Sequence, residues 1–302
     1  MTVLIVGSGF VGTAVARRLG SQGRSVVLAS RTPPTTPVET YGARWTPLDA
    51  TDPGACSVTV SRLAPSHVIL VHGPSNVTWC EANPARAAVL HTAVAENIAM
   101  AATSSSLLLI STDNVFSGTT TINAETSPTC PANAYGRAKL DAERVLLART
   151  PAAIVLRVSL VYGYESVTTG KWLNFFAACA HRLSRGAPVQ APSDQWTTPV
   201  HVDDVAAVVT ALLTATTEIP SLLHLGGPDR ISRAQWAGTI AESLQVPRSL
   251  VTAVPKASGR YAARPENTCL TSHFLSALPA VQDVAVRGVV EAAHALAPAF
   301  LQ

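Results

Sequence analysis

The sequence of 302 residues has little charge, few aromatic side chains and no long apolar run. Charged residues make up 14%, aromatic residues 5%, and the formal net charge is +3. No block of five like charges occurs, so nothing favours nucleic acid as a partner. No apolar run reaches the length of about 18 residues that spans a bilayer, and the N-terminal stretch MTVLIVG is too short for a secretion signal. We expect a cytoplasmic protein without a membrane partner.

Cysteine and histidine lack the spacing that disulfide frameworks and metal sites require. The five cysteines are odd in number, widely dispersed and without a C-x-x-C pair. This indicates reduced thiols. The eight histidines include no H-x-x-H or H-E-x-x-H pattern, so we expect no metal.

Strand-like and helix-like segments alternate through the first half of the chain. Short apolar runs are typical of strands buried on both faces, and the segments between them have helical character. This rhythm predicts an α/β fold with a Rossmann-type, doubly wound parallel sheet, which binds ligands at the carboxyl ends of its strands. The predicted strands are 2–6, 25–29, 44–48, 67–71, 107–110, 153–158 and 222–225; the predicted helices are 11–19, 84–102, 134–148, 172–183, 203–214, 284–296 and one capped by Ser232 that ends at 244; 186–198 is predicted as a loop.

A glycine-rich hexapeptide, G-S-G-F-V-G at residues 7–12, follows the first strand directly and opens a helix. Glycines at these positions permit a tight turn, close approach of a pyrophosphate, and close packing of helix on strand. The N-terminus of the helix offers free N–H groups and a partial positive charge to phosphates. We predict that Gly7, Gly9, Phe10, Val11 and Gly12 bind a dinucleotide; the alternative is a purely structural turn.

The end of the second strand favours NADPH over NADH. An acid there binds the 2′-hydroxyl of the ribose, whereas an arginine accommodates a 2′-phosphate. The strand ends in Ser30 and Arg31, without an acid. A serine can donate to a phosphate and a guanidinium can pair with it. Asp49, after the third strand, could accept from the adenine amino group, and Asp52 is equally well explained as a helix N-cap.

Tyr135 and Lys139 are four residues apart, so they share one face of a predicted helix. A hydride added to a ketone leaves an alkoxide that needs a proton, which a phenol can supply. We expect the ammonium, together with an oxidised nicotinamide, to lower the pKa of Tyr135. Lys139 can also bind the nicotinamide ribose, and Thr112 can donate to the substrate carbonyl. The alternatives are a surface pair on the helix and a capping threonine.

Several motifs occur together along the chain: STDNVFSG, YGRAKLDAE, LRVSLVYG, DQWTTPVHVDDVA, LGGPDRIS and RPENTCL. Their combination and order, from Gly7 to about Leu270, resemble the dTDP-4-dehydrorhamnose reductases, which are extended short-chain dehydrogenases. The resemblance implies the catalytic set Thr112, Tyr135 and Lys139. It also implies NAD(P)H-dependent reduction of a keto group on a nucleotide-linked deoxysugar.

The resemblance further implies two parts and a substrate between them. The dinucleotide-binding domain would comprise 1–163, with 201–226 returning to it, and the substrate lobe 164–200 and 227–302. A homodimer is left open. Each of three candidate substrate-binding residues also has a structural explanation. Asn174 can serve helix packing, Arg264 can be an ordinary surface arginine, and His201 can form a hydrogen bond between the two parts. The candidate substrate-binding residues are Asn114, Asn174, Gln195, His201 and Arg264.

Five positions depart from the family pattern. Val6 replaces a glycine of the nucleotide loop, His91 an asparagine, and Thr271 an aspartate. Asn114 and Leu160 replace a tyrosine and a tryptophan that shape the family's sugar site. We therefore expect a ketone other than the rhamnose precursor.

The prediction is an NADPH-dependent ketoreductase acting on a nucleotide-linked sugar or a related biosynthetic intermediate. An epimerase or dehydratase of the same fold is one alternative. A cofactor-binding regulatory subunit, like that of methionine adenosyltransferase, is the other.

Overall fold

A computed structural model of the protein describes residues 1–167, 172–257, 261 and 263–301. Strands and helices alternate over most of this length. The strands are β1 (Thr2–Val6), β2 (Ser25–Ser30), β3 (Ala43–Pro47), β4 (His67–Leu70), β5 (Ser106–Thr112), β6 (Ile154–Val158), β7 (Val161–Tyr162), β8 (Val189–Pro192), β9 (Trp196–Thr197), β10 (Val200–His201), β11 (Leu222–Leu225), β12 (Ile231–Ser232), β13 (Val251–Val254) and β14 (Asn267–Thr268). The α-helices are α1 (Phe10–Ser21), α2 (Pro53–Leu63), α3 (Val77–Ala82), α4 (Pro84–Ala88), α5 (Val94–Ala101), α6 (Ala134–Arg149), α7 (Phe175–Leu183), α8 (Val202–Leu213), α9 (Arg233–Ser243) and α10 (Val289–Leu296).

The central sheet has seven strands in the order β11-β6-β5-β4-β1-β2-β3, and every neighbouring pair is parallel. Side chains alternate across each strand, so the two faces bury different residues. Ile5 packs with α1 and α8 on one face, while Leu4 packs with α2 and α5 on the other. The predicted Rossmann-type α/β fold is confirmed.

The turn after β1 brings the glycine loop against the end of β4. Gly7 has φ of +120°, and a side chain there would overlap the backbone carbonyl of Val71. A side chain at Gly12 would overlap the carbonyl of Gly7, so helix and strand touch closely. Gly9, by contrast, has open space around its Cα. The loop is therefore packed on its protein side and open on the side where a ligand would approach.

The helix predicted over 84–102 is wrong as a continuous α-helix. A π-helical segment, Val89–Ala93, separates α4 from α5. The loop predicted over 186–198 is also wrong, because β8 pairs with β13 and β9 pairs with both β12 and β14. Ser232 caps α9 as predicted, in a capping box with Gln235.

A second core lies outside the large sheet. Tyr162, Phe176 and Trp236 are fully enclosed and pack on one another between α7 and α9. Further along the chain, Leu275 and Val281 pack against the large sheet again. The division into two lobes at the predicted boundaries stays a prediction. Within the described ranges, none of the helices has both the length and the apolar character needed to cross a bilayer.

Candidate functional site

A cleft of about 310 Å³ lies at the carboxyl edge of the sheet. Its walls come from the glycine loop, the ends of β4 and β5, the start of α6 and the second core. It brings together the predicted catalytic set and most of the other candidates. Those that line it are Gly9, Phe10, Val11, Thr112, Asn114, Tyr135, Lys139, Asn174, Gln195 and Arg264.

The first turn of α6 is held tightly against the end of β5. Asn133 caps the helix, since its Oδ1 accepts from the N–H of Gly136 at 2.8 Å. Its Nδ2 donates to Asn114 Oδ1 at 3.0 Å. A side chain at Gly136 would overlap the backbone carbonyl of Asn114. These contacts fix Tyr135 beside Thr112.

The pKa of Tyr135 is raised, chiefly by burial. A hydrogen bond with Thr112 opposes the rise, and the nearby charge of Asp113 adds to it. The expected lowering, which includes the charge of an oxidised nicotinamide, stays a prediction, because the protein's own groups raise this pKa. The phenol stays protonated at neutral pH, which suits a group that gives a proton to an alkoxide.

Lys139 is 3% exposed, and its Nζ donates to the carbonyl of Ile110 at 2.6 Å. Burial lowers the pKa of Lys139 to about 8, and the charge of Glu143 acts in the opposite direction. Glu143 is one helical turn further on and forms an ion pair with Arg157 at 2.7 Å. A buried acid–arginine pair thus lies directly behind the ammonium.

Activity should fall as pH rises through about 8, because Lys139 then loses the proton that makes it a cation. Glu143→Gln removes a charge that raises the pKa of Lys139. The alkaline limb of the pH–activity profile, where activity falls, should therefore move to lower pH. Asp141→Asn, an exposed change on the same helix, should leave the limb in place. The kcat/KM for NADPH, which reports ionisations of the free enzyme, is measured against pH for the three proteins; an alkaline limb that does not move in Glu143→Gln would contradict this role of Glu143.

The predicted residues for the adenosine end lie on an exposed rim. The hydroxyl of Ser30 donates to the carbonyl of Thr32 at 2.6 Å and accepts from Trp45 Nε1 at 3.0 Å. Its proton therefore points at the protein's own backbone. Arg31 is exposed. The pKa of Asp49 is lowered, mainly by hydrogen bonds from Thr51 and to a smaller extent by the charge of Arg31.

The remaining candidates have structural partners of their own. Asn174 caps α7 and donates to the carbonyl of Gly163 at 3.0 Å. Gln195 is buried, and its Oε1 has no hydrogen-bond partner in the described part of the chain. His201 caps α8, and its Nδ1 accepts a hydrogen bond from Arg287 at 3.0 Å. His201 is not among the residues that line the cleft. Its role in substrate binding stays a prediction. Asp52 is an N-cap, accepting from two backbone N–H groups of α2.

Three charged residues of the cleft, Asp113, Glu165 and Arg233, were not singled out from the sequence. Asp113 is fully enclosed, and burial raises its pKa to about 6 despite four hydrogen bonds. Asp113 directly follows β5, at the carboxyl edge of the sheet, and this position in the sequence could have identified it as a site residue. Arg233, which is 7% exposed, has its guanidinium 4.7 Å from the ring centre of Phe175. Nothing in the local sequence marks Arg233, because its neighbours in space are distant along the chain.

The sequence profile of the RmlD substrate binding domain family matches residues 1–294. The chain belongs to this family. The predicted resemblance to dTDP-4-dehydrorhamnose reductases is thereby confirmed, and with it membership of the extended short-chain dehydrogenase superfamily of NAD(P)-dependent enzymes.

Curated relatives of the family carry different functional names. The chain is 28% identical over 269 residues to the "Probable low-salt glycan biosynthesis reductase Agl14" of Haloferax volcanii, covering 87% of each chain. It is 32% identical over 169 residues to the "Probable dTDP-4,6-dihydroxy-2-methyloxan-3-one 4-ketoreductase" of Streptomyces antibioticus, covering 55% of each. It is 27% identical over 211 residues to methionine adenosyltransferase 2 subunit beta of Xenopus laevis, covering 68% of this chain and only 63% of that protein.

Solved structures of the same fold cover almost the whole chain. A dTDP-4-dehydrorhamnose reductase of Clostridium acetobutylicum has a TM-score of 0.82 at 23% identity and covers 100% of both chains. The enzyme of Bacillus anthracis, in complex with NADP, has a TM-score of 0.78 at 20% identity, covering 98% of both. A UDP-glucose 4-epimerase of Thermotoga maritima has a TM-score of 0.82 at 18% identity, covering 99% of this chain and 98% of that one. Reductases and epimerases therefore share this fold.

Proposed function

We propose that the protein is an NADPH-dependent ketoreductase acting on a keto group of a nucleotide-linked sugar or a related biosynthetic intermediate. The observation that carries the proposal is the convergence of Thr112, Tyr135 and Lys139 with the glycine loop in one cleft. The reductase and ketoreductase names of the Haloferax and Streptomyces relatives support it. The NADP complex of the Bacillus anthracis enzyme supports the choice of cofactor.

The residues of the loop fit a dinucleotide. Gly9 caps α1 without a side-chain hydrogen bond, and the space beside its Cα is open. The first N–H groups of α1 can therefore receive the phosphates. When bound, NADPH supplies the hydride.

The chain's own residues then manage the charge and the proton. Tyr135 is protonated and would give its proton to the oxygen of the reduced carbonyl. The ammonium of Lys139 would stabilise the phenolate that remains. Thr112, whose hydroxyl lies beside Tyr135, would orient the same oxygen.

A pair of arginines supports a substrate that carries phosphate. The guanidinium carbons of Arg233 and Arg264 lie 5.6 and 5.7 Å from the ring centre of Tyr261. Both arginines line the cleft. Two like charges held beside one ring suit a dianion, and guanidinium groups bind phosphate through paired hydrogen bonds. The diphosphate of a nucleotide-linked sugar, which carries two negative charges, is such a dianion.

The test of the proposal is turnover with a panel of dTDP-linked and UDP-linked keto sugars. We expect NADPH to be oxidised in proportion to a reduced sugar product, with release of oxidised cofactor in every cycle. Interconversion of sugars without release of cofactor would instead identify an epimerase or dehydratase. Tight binding of NADPH with no turnover of any keto sugar would favour a regulatory subunit, the function suggested by the methionine adenosyltransferase relative.

Arg31→Ser should reduce the preference for NADPH over NADH by about 10- to 100-fold, because a charge-assisted bond to the 2′-phosphate is lost. Arg18→Ser, an exposed change at the far end of α1, should leave the preference unchanged. The kcat/KM for each cofactor gives the ratio. An unaltered ratio in Arg31→Ser would place the 2′-phosphate elsewhere.

A further inference from the structure

Two side-chain amides connect the N-terminus of α6 to the hydroxyl of Thr112. Asn133 is fully buried and caps the helix, and its Oδ1 accepts from the N–H of Gly136 at 2.8 Å. Its Nδ2 donates to the carbonyl of Ala263 at 3.2 Å and to Asn114 Oδ1 at 3.0 Å. The amide of Asn114 then contacts Thr112 in turn. The catalytic threonine is therefore linked to the helix through a series of hydrogen bonds.

The direction of each amide follows from its neighbours. A backbone N–H only donates and a backbone carbonyl only accepts, so the oxygen and the nitrogen of the Asn133 amide are both assigned. The second hydrogen on that nitrogen goes to Asn114, whose amide oxygen must face it. The nitrogen of Asn114 therefore points the other way, to Asp113 Oδ1 at 2.8 Å and to Thr112 Oγ1 at 3.3 Å.

The hydroxyl of Thr112 is left as a donor. A hydroxyl oxygen has two lone pairs and one proton. Both lone pairs of Thr112 are occupied, because the backbone N–H of Asn114 also donates to Oγ1, at 3.2 Å. The phenol of Tyr135, which forms a hydrogen bond with Thr112, can then only accept in that bond. The proton of Tyr135 therefore stays free for an oxygen in the cleft.

Asp113 is a second acceptor within reach of the Thr112 proton. Its Oδ1 lies 3.2 Å from Thr112 Oγ1, which is longer than the roughly 2.5–3.0 Å that is usual for a hydroxyl donor. The same oxygen accepts from Asn114 at 2.8 Å, and Ser159 donates to the other oxygen at 3.2 Å. The carboxyl group therefore keeps hydrogen bonds when the Thr112 hydroxyl turns towards a substrate.

We propose that Asn114 is a positioning residue that makes Thr112 a donor to the substrate carbonyl oxygen and keeps the proton of Tyr135 for that same oxygen. Asn133 acts one step further back, by setting the direction of the Asn114 amide. The inference rests on the proposed function, because it concerns the proton transfer of that reaction. The family pattern has tyrosine at position 114, and tyrosine has no amide nitrogen, so this arrangement is a feature of this chain.

The kinetic test is a double-mutant cycle on Asn114 and Thr112, with single-turnover reduction of the keto sugar that reacts fastest in the panel. Asn114→Ala should slow the chemical step about tenfold, because it frees a lone pair of Thr112 to which Tyr135 can donate. In a Thr112→Val background the same change should slow it by less than about twofold, because Asn114 acts through that hydroxyl. An equal loss in both backgrounds, or no loss in the first, overturns the proposal.

A second variant changes the direction of the amide and leaves the helix cap in place. Asn133→Asp still accepts from the helix but cannot donate to Asn114 Oδ1, so the Asn114 amide should turn its oxygen towards Thr112. We expect a loss of about three- to tenfold in the same rate, with the dissociation constant of NADPH within about threefold of wild type. Asn83→Ala is the control, because this amide donates to the carbonyl of Trp79 at 2.9 Å, outside the cleft lining. An unchanged rate in Asn133→Asp overturns the part assigned to Asn133.

The directions of the hydrogens can also be observed without turnover. Neutron diffraction from crystals of the deuterium-exchanged wild-type protein should show the two amide deuterons of Asn114 directed at Asp113 and Thr112. An Asn114 oxygen that faces Thr112, or a deuteron donated from Tyr135 to Thr112, overturns the proposal while leaving the ketoreductase intact. A wild-type protein that reduces no keto sugar overturns the proposed function and the use of these hydrogen bonds in it, whereas the neutron map still decides their directions.

Discussion

Tyr135→Phe should lower kcat by roughly 10²- to 10⁴-fold, the usual contribution of a positioned general acid. The phenol is the group that the cleft keeps protonated, because burial raises its pKa. Phenylalanine retains the ring that packs against His91 at 5.5 Å, so the shape of the site should survive. The dissociation constant of NADPH should change by less than about tenfold, since only one hydrogen bond is lost.

Tyr164→Phe is the matched control for this change. Tyr164 is exposed and packs on Phe300 away from the cleft lining, so its hydroxyl should not affect the chemistry. Single-turnover rates with saturating NADPH isolate the chemical step. A Tyr135→Phe protein that reduces its ketone at the wild-type rate would remove the phenol from the mechanism.

Arg157→Leu should lower the free energy of unfolding by about 3–5 kcal/mol, because it leaves a buried carboxylate without its cation. The side chains of Arg157 and Glu143 are only 5% and 4% exposed, and their closest atoms lie 2.7 Å apart. Ser111 also donates to Glu143, which joins β5 and β6 to α6. The loss should therefore reach the helix that carries Tyr135 and Lys139.

Arg144→Leu tests the same substitution in an exposed pair on α6. Arg144 and Asp141 are 65% and 53% exposed, and removing one partner there should cost about 0–1 kcal/mol. Urea unfolding of both variants gives the comparison. Equal losses would contradict the account. Arg157→Leu combined with Glu143→Leu should recover much of the stability, because no unpaired charge remains.

The parts of the molecule that the sequence predicted are those set by local pattern. β1 and β5 each contain four consecutive apolar residues, at 3–6 and 107–110, as expected of strands that are buried on both faces. The glycine loop needs its small residues because backbone atoms of β1, β4 and α1 meet there. Tyr135 and Lys139 share a helix face whatever the rest of the chain does.

The parts that were missed depend on contacts between distant segments. β8 and β9 are short, and their partners β13 and β14 lie far along the chain. The ring of His91, in the π-helical segment, contacts Pro74 and lies against Gly73, and the helical pattern over 84–102 does not reveal these contacts. The protein's own groups raise the pKa of Tyr135 because burial, which a motif does not reveal, outweighs the hydrogen bond from Thr112.

The central claim is net transfer of hydride from NADPH to a sugar ketone. The most direct measurement uses NADPH that carries deuterium at the transferred position of the nicotinamide ring, with mass spectrometry of the sugar product. We expect one deuterium on the former carbonyl carbon and one oxidised cofactor released for each product molecule. A converted sugar without deuterium, and with no oxidised cofactor released, would contradict it.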